Sequence, residues 1–324
     1  MEYTYLGNTG VQVSRLCFGT MSFGGDADEA TSGALFGRCR EAGINFFDCA
    51  DVYSQGKAEE ILGRLLQGCR DEIVLTSKVF GAMSDDRNQR GLSRRHITRA
   101  VEASLKRLNT DRLDFYFVHQ FDANTPMEET LRALDDLVSA GKIVHPAVSN
   151  WAAWQIALAL GKCELKRWAR FACIQPMYSL AKRQAEVEIL PLAQSENLGV
   201  IPYSPLGGGL LSGKYSKEAG SGRLRDNAMY ARRYGDTSYY DLAERFTEYS
   251  REHKVHPASL AVAWVMSHPT ITAPIIGARN VEQLEPSLQA VDLPMTPQWR
   301  EEISSLSPTP PPATDRSESQ PANK

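Results

Sequence analysis

The sequence predicts an α/β protein whose main domain is a (β/α)8 TIM barrel. Short, almost continuously apolar runs alternate with longer amphipathic runs, a pattern typical of buried parallel strands joined by helices. The apolar runs recur at intervals of about 30 residues, the length of one βα repeat with its connections. The 324 residues suffice for one barrel of roughly 250 residues with added segments. A doubly wound sheet remains the alternative, because periodicity does not show whether a sheet closes.

Eight apolar runs are predicted to be the barrel strands. They span 16–20, 45–50, 73–79, 114–121, 143–150, 171–179, 200–206 and 271–278. The stretch before them, with a turn between Gly7 and Gly10, predicts an N-terminal hairpin outside the repeat.

Amphipathic patterns predict helices over 58–69, 97–108, 127–142 and 281–291, and an extra helix over 258–267. Ser93 and Thr125-Pro126 are predicted to mark helix starts, and Gly43, Gly141 and Gly199 helix ends. The stretch 208–240 shows no clear period, which predicts a long lid or binding loop after strand 7. Residues 1–306 are assigned to the barrel domain. Residues 307–324 contain five prolines and no large aliphatic or aromatic side chain, and they predict a disordered Pro/Ser-rich tail.

Composition argues against several function classes. A formal charge of -3 gives no basic surface for nucleic acid or for an anionic membrane. The six cysteines show no CxxC pair and no metal-like spacing, so reduced thiols and no metal are expected. The N-terminal residues lack the pattern of a signal peptide, and a cytoplasmic location is therefore expected.

Ionisable residues follow three consecutive predicted strands. Asp48 comes directly after Phe46-Phe47, Lys78 ends the next apolar run, and His119 ends the third, while Tyr53 lies in the first connecting loop. Each has an ordinary structural explanation when it is considered alone, such as capping a turn or extending to solvent. In a barrel, however, the active site is built at the C-terminal ends of the strands, and all four residues converge there.

These residue types suit carbonyl reduction. A phenol has a free pKa of about 10, and a nearby ammonium favours its ionisation. A carboxylate beside the ammonium keeps the lysine charged, and a histidine can orient a carbonyl oxygen by a hydrogen bond. Such a site can act as a general acid towards a developing alkoxide, but it needs a cofactor as hydride source. No GxGxxG or P-loop motif occurs; instead glycines 207–209 and Gly277 to Arg279 follow strands 7 and 8, where barrels often bind phosphate.

Seven further stretches support one family in order along the chain: FFDCADVYSQGKAEEILG, LTSKV, SRRHITRAVEASLKRLNTDRLDFYFVHQ, GKIVHPAVSNW, QPMYSL, GVIPYSPLGGGLLSGKY and IIGARNVEQL. With LGNTGVQVSRLCFGT before them, nearly the whole chain to about residue 290 resembles the aldo-keto reductase superfamily. The resemblance implies a barrel that binds NADPH or NADP+, and NADH less favourably, without a Rossmann motif. It also implies that Asp48, Tyr53, Lys78 and His119 are the catalytic tetrad, with Tyr53 as the acid.

The resemblance further implies a cofactor-binding set. Its members are Gly19, Thr20, Met21, Asp48, Ser149, Asn150, Gln175, Tyr203, Ser204, Pro205, Leu206, Gly209, Lys214, Gly277, Arg279, Gln283 and Ser287. Ser149, Asn150 and Gln175 would hold the nicotinamide amide, Tyr203 would stack on its ring, and Arg279 would meet the adenosine phosphate. Where relatives often have glutamate and asparagine for the adenine, this chain has Pro286 and Ser287, which predicts altered adenine recognition.

The expected substrate is a small-molecule carbonyl compound or alcohol. Besides Tyr53 and His119, the predicted pocket wall comprises Phe23, Phe80, Phe121, Trp151, Tyr230 and Tyr234. An aromatic wall suits sugars, terpenoids, polyketides and aromatic aldehydes alike. Two alternatives stay open: a sensor resembling the auxiliary subunits of potassium channels, and a cofactor-free aldolase that uses Lys78 as a Schiff-base nucleophile. The sequence is compatible with a monomer or a homo-oligomer.

Overall fold

The computed structural model describes residues 1–215, 224 and 227–315. Its main feature is a sheet of eight parallel strands in chain order, in which the last strand lies adjacent to the first. The strands are β3 (Cys17–Gly19), β4 (Phe46–Asp48), β5 (Val74–Val79), β6 (Leu113–Val118), β7 (Ile143–Ser149), β8 (Cys173–Gln175), β9 (Gly199–Val200) and β10 (Ile275–Ile276).

The sheet curls into the predicted barrel. Beyond the strand ladder, the backbone N–H groups of Thr272 and Ile275 donate to the carbonyls of Val200 and Pro202, at 2.9 and 2.8 Å. These bonds join the last strand to the seventh. Strand order along the chain, together with this closure, shows that the doubly wound alternative is wrong.

Helices surround the barrel in the expected alternation. They are α1 (Glu29–Glu41), α2 (Lys57–Leu65), α3 (Arg94–Leu108), α4 (Met127–Ser139), α5 (Ala153–Lys166), α6 (Ile189–Ser195), α7 (Ala228–Tyr234), α8 (Thr237–Glu252), α9 (Pro257–Met266), α10 (Val281–Leu288) and α11 (Pro297–Ser304). The predicted start at Ser93 is confirmed, since its hydroxyl accepts a hydrogen bond from the His96 N–H at 3.2 Å. None of the described helices combines the length and apolar character needed to cross a bilayer.

The N-terminal hairpin is also confirmed. Strands β1 (Tyr3–Tyr5) and β2 (Gln12–Ser14) pair in antiparallel fashion. Leu6 and Val13 are fully buried and pack with the side chains inside the barrel. The hairpin therefore closes the end of the barrel opposite to the predicted active site.

Two predictions about local structure need correction. The predicted long segment after strand 7 is present, but it is not without secondary structure, because the described part of 208–240 contains α7 and the start of α8. In this segment Tyr230, Tyr234 and Tyr240 pack with Leu210 and Leu224 in one buried cluster. The last residues of the predicted tail, 316–324, lie outside the described part.

Gly199 does not end a helix. It begins β9, and the left-handed position after α6 belongs to Asn197, with φ 52°. Gly199 is needed for another reason: a Cβ there would lie 2.3 Å from a side-chain carbon of Leu6. The glycine thus allows the hairpin to pack against the barrel.

Alternation along β5 decides which side chains reach the barrel interior. Thr76 and Lys78 point towards β4, where both contact Asp48. Ser77 points outward and donates to Glu59 of α2 at 2.6 Å. Leu75 and Val79 join the apolar layer between sheet and helices. Successive residues of β5 therefore contact two separate acids, Asp48 inside the barrel and Glu59 outside it.

Candidate active site

Strand register brings the predicted tetrad together. Asp48 is the register partner of Gly19 on β3 and of Thr76 on β5. Lys78 follows two residues later on the same face of β5, at the C-terminal end of the barrel. His119 directly follows β6, and its N–H donates to the Val79 carbonyl at 3.0 Å. Parallel strands thus deliver the three residues to one rim.

Asp48 is held by a saturated set of donors. Its Oδ2 accepts from Lys78 Nζ at 2.5 Å, and its Oδ1 accepts from Thr76 Oγ1 at 2.7 Å and from Gln175 Nε2 at 2.9 Å. Its side chain is 2% exposed. The lysine and the two neutral donors fix the orientation of this buried carboxylate.

Lys78 has no exposed side-chain surface. Its ammonium donates to Asp48 Oδ2, to the Cys49 carbonyl at 2.8 Å and to Tyr53 Oη at 3.2 Å. Burial alone would lower the pKa of Lys78, but Asp48 and Tyr53 raise it above its ordinary value. A charged amine is not a nucleophile, so this geometry argues against the aldolase alternative.

Tyr53 lies within hydrogen-bond distance of Lys78. Its ring is perpendicular to that of His119, with a centroid distance of 6.3 Å. Lys78 lowers the pKa of Tyr53 as expected, but burial has the larger effect and raises it to about 12. The phenol is therefore protonated at neutral pH, and its pKa is raised on balance rather than lowered as the sequence argument expected.

His119 is neutral. Burial, with the nearby Lys78 charge, lowers the pKa of His119 to about 3. A neutral imidazole has one N–H to donate and one nitrogen to accept, and a carbonyl oxygen beside Tyr53 can receive that N–H. The arrangement as a whole offers two donors to one oxygen atom.

The predicted nicotinamide residues form one hydrogen-bonded group beside the tetrad. Ser149 and Gln175 are register partners on β7 and β8, and Ser149 Oγ donates to the Gln175 carbonyl at 2.9 Å. Asn150, with φ 57°, donates to the His119 carbonyl at 2.9 Å and accepts from Tyr203 Oη at 2.7 Å. Thr20 donates from both its N–H and Oγ1 to the Asp48 carbonyl. These residues lie close together, while Met21 is exposed.

The predicted phosphate-binding residues lie on the loops after β9 and β10. Ser204 and glycines 207–209 all have positive φ, and among the described residues a Cβ at Gly209 would meet only a Tyr215 ring carbon, at 3.5 Å. Backbone amides in such a left-handed run can turn towards an anion. Pro205 is buried, Leu206 is partly buried, and Lys214 is exposed at the end of this segment. Gly277 packs close to Gly19, with a Cβ there 3.6 Å from the Gly19 carbonyl oxygen.

The predicted adenosine end lies at the start and the last turn of α10. Arg279 pairs with Asp26, with Nε and Oδ2 3.1 Å apart, and both side chains are about half exposed. Gln283 is exposed, and its N–H donates to the Asn280 side chain at 2.9 Å. Ser287 is buried, and its hydroxyl has no hydrogen-bond partner in the described part of the chain. An unpaired buried hydroxyl is a group that a ligand can satisfy.

The chain is similar to known proteins over most of its length. The model of the Aldo/keto reductase family matches residues 15–308. The chain belongs to this family. The match covers the barrel and both loop regions just described, so the family assignment includes the whole candidate site.

Several relatives within the family carry functional names. An uncharacterised oxidoreductase of Bacillus subtilis, YrpG, is 39% identical over 96% of this chain and 97% of its own length. A probable voltage-gated potassium channel subunit beta of Arabidopsis thaliana is 35% identical over 90% of this chain and 92% of its own length. Versiconal hemiacetal acetate reductase of Aspergillus parasiticus is 31% identical over 92% of this chain and 94% of its own length.

The aromatic residues predicted for the substrate wall differ in their exposure. Phe80 and Phe121 are partly exposed, and Trp151 stands edge-on to Phe121 with a centroid distance of 5.0 Å. Phe23 has no exposed surface and packs against Phe18, so it supports the wall from behind. Tyr230 and Tyr234 are 5% and 1% exposed. They pack over the glycine run, which is closer to the predicted phosphate loop than to an open wall.

Sequence reasoning missed three residues at this aldo/keto reductase site. Thr76 holds Asp48, and its spacing of two residues from Lys78 on one strand could have indicated this. Trp154 is 64% exposed and extends the aromatic group, 6.5 Å from Phe121. Asp26, the partner of Arg279, gave no signal, because the two residues are far apart in the sequence.

Proposed function

We propose that the chain is a cytoplasmic, NADP(H)-dependent reductase that converts aldehyde or ketone carbonyls reversibly into alcohols. The observation that carries this proposal is the buried chain of contacts from Asp48 through Lys78 to Tyr53 at the C-terminal rim of the barrel. NADPH is proposed in preference to NADH because the half-exposed guanidinium of Arg279, at the start of α10, can exchange Asp26 for a phosphate. The family membership and the named reductases among the relatives support the same activity.

Lys78 determines the direction in which Tyr53 donates its proton. Each of the three ammonium protons has a partner: Asp48, the Cys49 carbonyl and the phenol oxygen. Because Tyr53 Oη accepts from Lys78, its own proton is free to point away, towards a substrate oxygen. As the carbonyl takes up negative charge, Tyr53 transfers this proton, and the ammonium stabilises the phenolate that remains.

His119 supplies the second donor to the same oxygen. As a neutral imidazole it does not compete for the proton, and it orients the carbonyl for attack on one face. In the alcohol-oxidising direction the same groups act in reverse, with the phenolate taking the hydroxyl proton.

The residues present fit a nicotinamide dinucleotide. The buried, unpaired Ser287 hydroxyl, the open backbone at Gly209 and the amide pair Asn150 and Gln175 provide polar groups along one path across the rim. When it is bound there, the reduced cofactor supplies the hydride that the protein side chains lack. We further propose that residues 1–306 form the catalytic domain, in a monomer or homo-oligomer.

The proposal is tested with NADPH, a general aromatic aldehyde, and the variant Tyr53→Phe. Loss of the phenol proton should lower kcat by at least about 100-fold, the lower end of the range for positioned proton transfer. NADPH binding, followed by cofactor fluorescence, should change by less than about threefold, because the ring and its packing remain. Tyr5→Phe, at an exposed position of β1, is the matched control and should retain full activity. Equal turnover by wild type and Tyr53→Phe would refute the role of Tyr53.

A second candidate is a cofactor-binding sensor with little turnover. It is favoured by the plant relatives named as probable potassium channel β subunits, which are 35% identical over 90% of this chain. Single-turnover oxidation of bound NADPH separates the two candidates. Stoichiometric hydride transfer followed by slow cofactor exchange would favour the sensor, whereas rapid multiple turnover would favour the reductase.

A further inference from the structure

Asp51 is a buried acid that the proposed mechanism does not use. It lies two residues before Tyr53, has no exposed surface, and neither carboxylate oxygen has a hydrogen-bond partner in the described part of the chain. Its backbone N–H donates to the Lys78 carbonyl at 3.4 Å. An unpaired carboxylate in a dry interior is costly when ionised and requires an explanation.

The charged groups around Asp51 do not compensate for it. Glu59 of α2 is fully buried and accepts from Ser77 Oγ at 2.6 Å and from Arg107 Nε of α3 at 2.7 Å. Arg107 is thus already paired with another acid. On β5 the Lys78 ammonium is paired with Asp48. On β6 the buried Tyr116 hydroxyl, which also has no hydrogen-bond partner among the described residues, adds no charge.

This environment makes the proton of Asp51 hard to remove. Burial, followed by the charge of Glu59, raises the pKa of Asp51 to about 7, although the nearby Val52 backbone N–H, Arg107 and Lys78 act in the opposite direction. The pKa values of Tyr53 and His119 are about 12 and about 3. Of these three residues, Asp51 alone changes charge near neutral pH.

The loop that carries Tyr53 depends on its surroundings for its conformation. Ser54, Gln55 and Gly56 have φ values of 48°, 55° and 89°, three consecutive left-handed residues of which only one is glycine. Ser54 Oγ holds one end of the run by donating to the Phe23 carbonyl at 2.8 Å. Such a backbone persists only while neighbouring contacts determine it.

We propose that Asp51 is a positioning residue whose protonated form keeps the loop 51–56 packed and Tyr53 against Lys78. Ionised Asp51 is driven towards water, and the left-handed run relaxes with it. Tyr53 then leaves the position from which it reaches Lys78 and the substrate oxygen. The catalytic consequence of this proposal rests on the proposed function; the loop movement itself does not.

The first test is the pH profile of carbonyl reduction at saturating NADPH. In the wild type, kcat/KM should fall by at least tenfold between about pH 7 and about pH 9, as the protonated fraction declines. Asp51→Asn resembles the protonated acid in shape and does not ionise, so its profile should lack this fall. Asp111→Asn, which removes an exposed aspartate, should keep the wild-type profile.

The second test does not require turnover. Hydrogen exchange of peptides that contain residues 51–56, corrected for the intrinsic effect of pH, should show protection that is lost above about pH 7 in the wild type. The Asp51→Asn protein should keep that protection at about pH 9. Purely structural damage by the substitution would instead lower the protection at every pH.

Glu59→Gln provides a second variant. It removes the charge that opposes ionisation of Asp51 and leaves Arg107 free to favour it, so both transitions should move to lower pH by about one unit. If Asp51→Asn fails to fold, this shift decides the question, and an unshifted transition overturns the proposal. A wild-type profile unchanged in Asp51→Asn also overturns it. A pH-dependent loop without any carbonyl reduction would refute the proposed function and retain the role of Asp51.

Discussion

The buried ion pair at the base of the site allows a prediction that does not depend on the substrate. Asp48 and Lys78 are 2% and 0% exposed and 2.5 Å apart. Replacing Asp48 by Asn leaves an ammonium in the barrel interior with two neutral acceptors, the Cys49 carbonyl and the Tyr53 hydroxyl. Replacing Lys78 by Met leaves the carboxylate with Thr76 and Gln175 as neutral donors.

Each single change should therefore be strongly destabilising. Removing one partner of a buried pair costs about 3–5 kcal/mol, because the other charge stays buried without compensation. The double variant Asp48→Asn/Lys78→Met removes both charges and retains an apolar chain of similar length. The double variant should be at least as stable as the less stable of the two single variants. The coupling energy between the two substitutions should therefore be at least about 3 kcal/mol.

Urea unfolding, followed by the fluorescence of the five tryptophans, measures the four stabilities of this cycle. The control cycle uses Arg170 and Glu196, whose Nη2 and Oε2 atoms are 2.7 Å apart and whose side chains are about 40% exposed. That cycle should give a coupling below about 1 kcal/mol. If the two substitutions at Asp48 and Lys78 add to within about 0.5 kcal/mol, the pair does not stabilise its own charges and the reasoning fails.

Three other predictions follow from single contacts. Because the pKa of Asp51 rises from 3.8 to about 7 on folding, the free energy of unfolding of the wild type should fall as pH rises through that window. The Asp51→Asn protein does not show this fall and should be up to about 4 kcal/mol more stable than the wild type at about pH 8. Asp26→Asn frees Arg279 from a half-exposed pair, so the Kd for NADPH should fall about two- to fivefold by fluorescence titration while that for NADH stays constant. Gly63→Ala places a Cβ 2.5 Å from a backbone oxygen of α3 and should cost about 1–3 kcal/mol in urea unfolding, whereas Gly161→Ala, with open space in α5, should stabilise by about 0.5–1 kcal/mol.

The barrel and the position of Asp48, Lys78 and His119 at one rim were predictable because they depend on local periodicity. Asp48, Lys78 and His119 each end an apolar run, and parallel strands in chain order place such ends together. The alternation of β5 also separates Lys78 from Ser77 on opposite faces, which a period of two implies. These features need no knowledge of which helices pack where.

The incorrect predictions concern contacts made across the fold. Gly199 looked like a helix end, but its small size serves the approach of Leu6 from the hairpin. The pKa of Tyr53 was expected to be low from its neighbour Lys78, yet burial by surrounding elements dominates it. The pairing of Asp26 with Arg279 likewise joins the first and last loops of the barrel. Sequence patterns carry no information on such long-range distances.

The two faces of β5 explain why one acid is left without a partner. Inside the barrel, Lys78 neutralises Asp48; outside it, Arg107 neutralises Glu59, which also binds Ser77. Asp51 is the remaining buried carboxylate of this region, and neither cation is free for it. Ionising Asp51 therefore adds a net negative charge to a buried group that is otherwise neutral, at the point where the chain turns into the Tyr53 loop. A movement of the loop towards water relieves that charge most easily. The position of Tyr53, the proposed general acid, therefore depends on the proton that Asp51 carries.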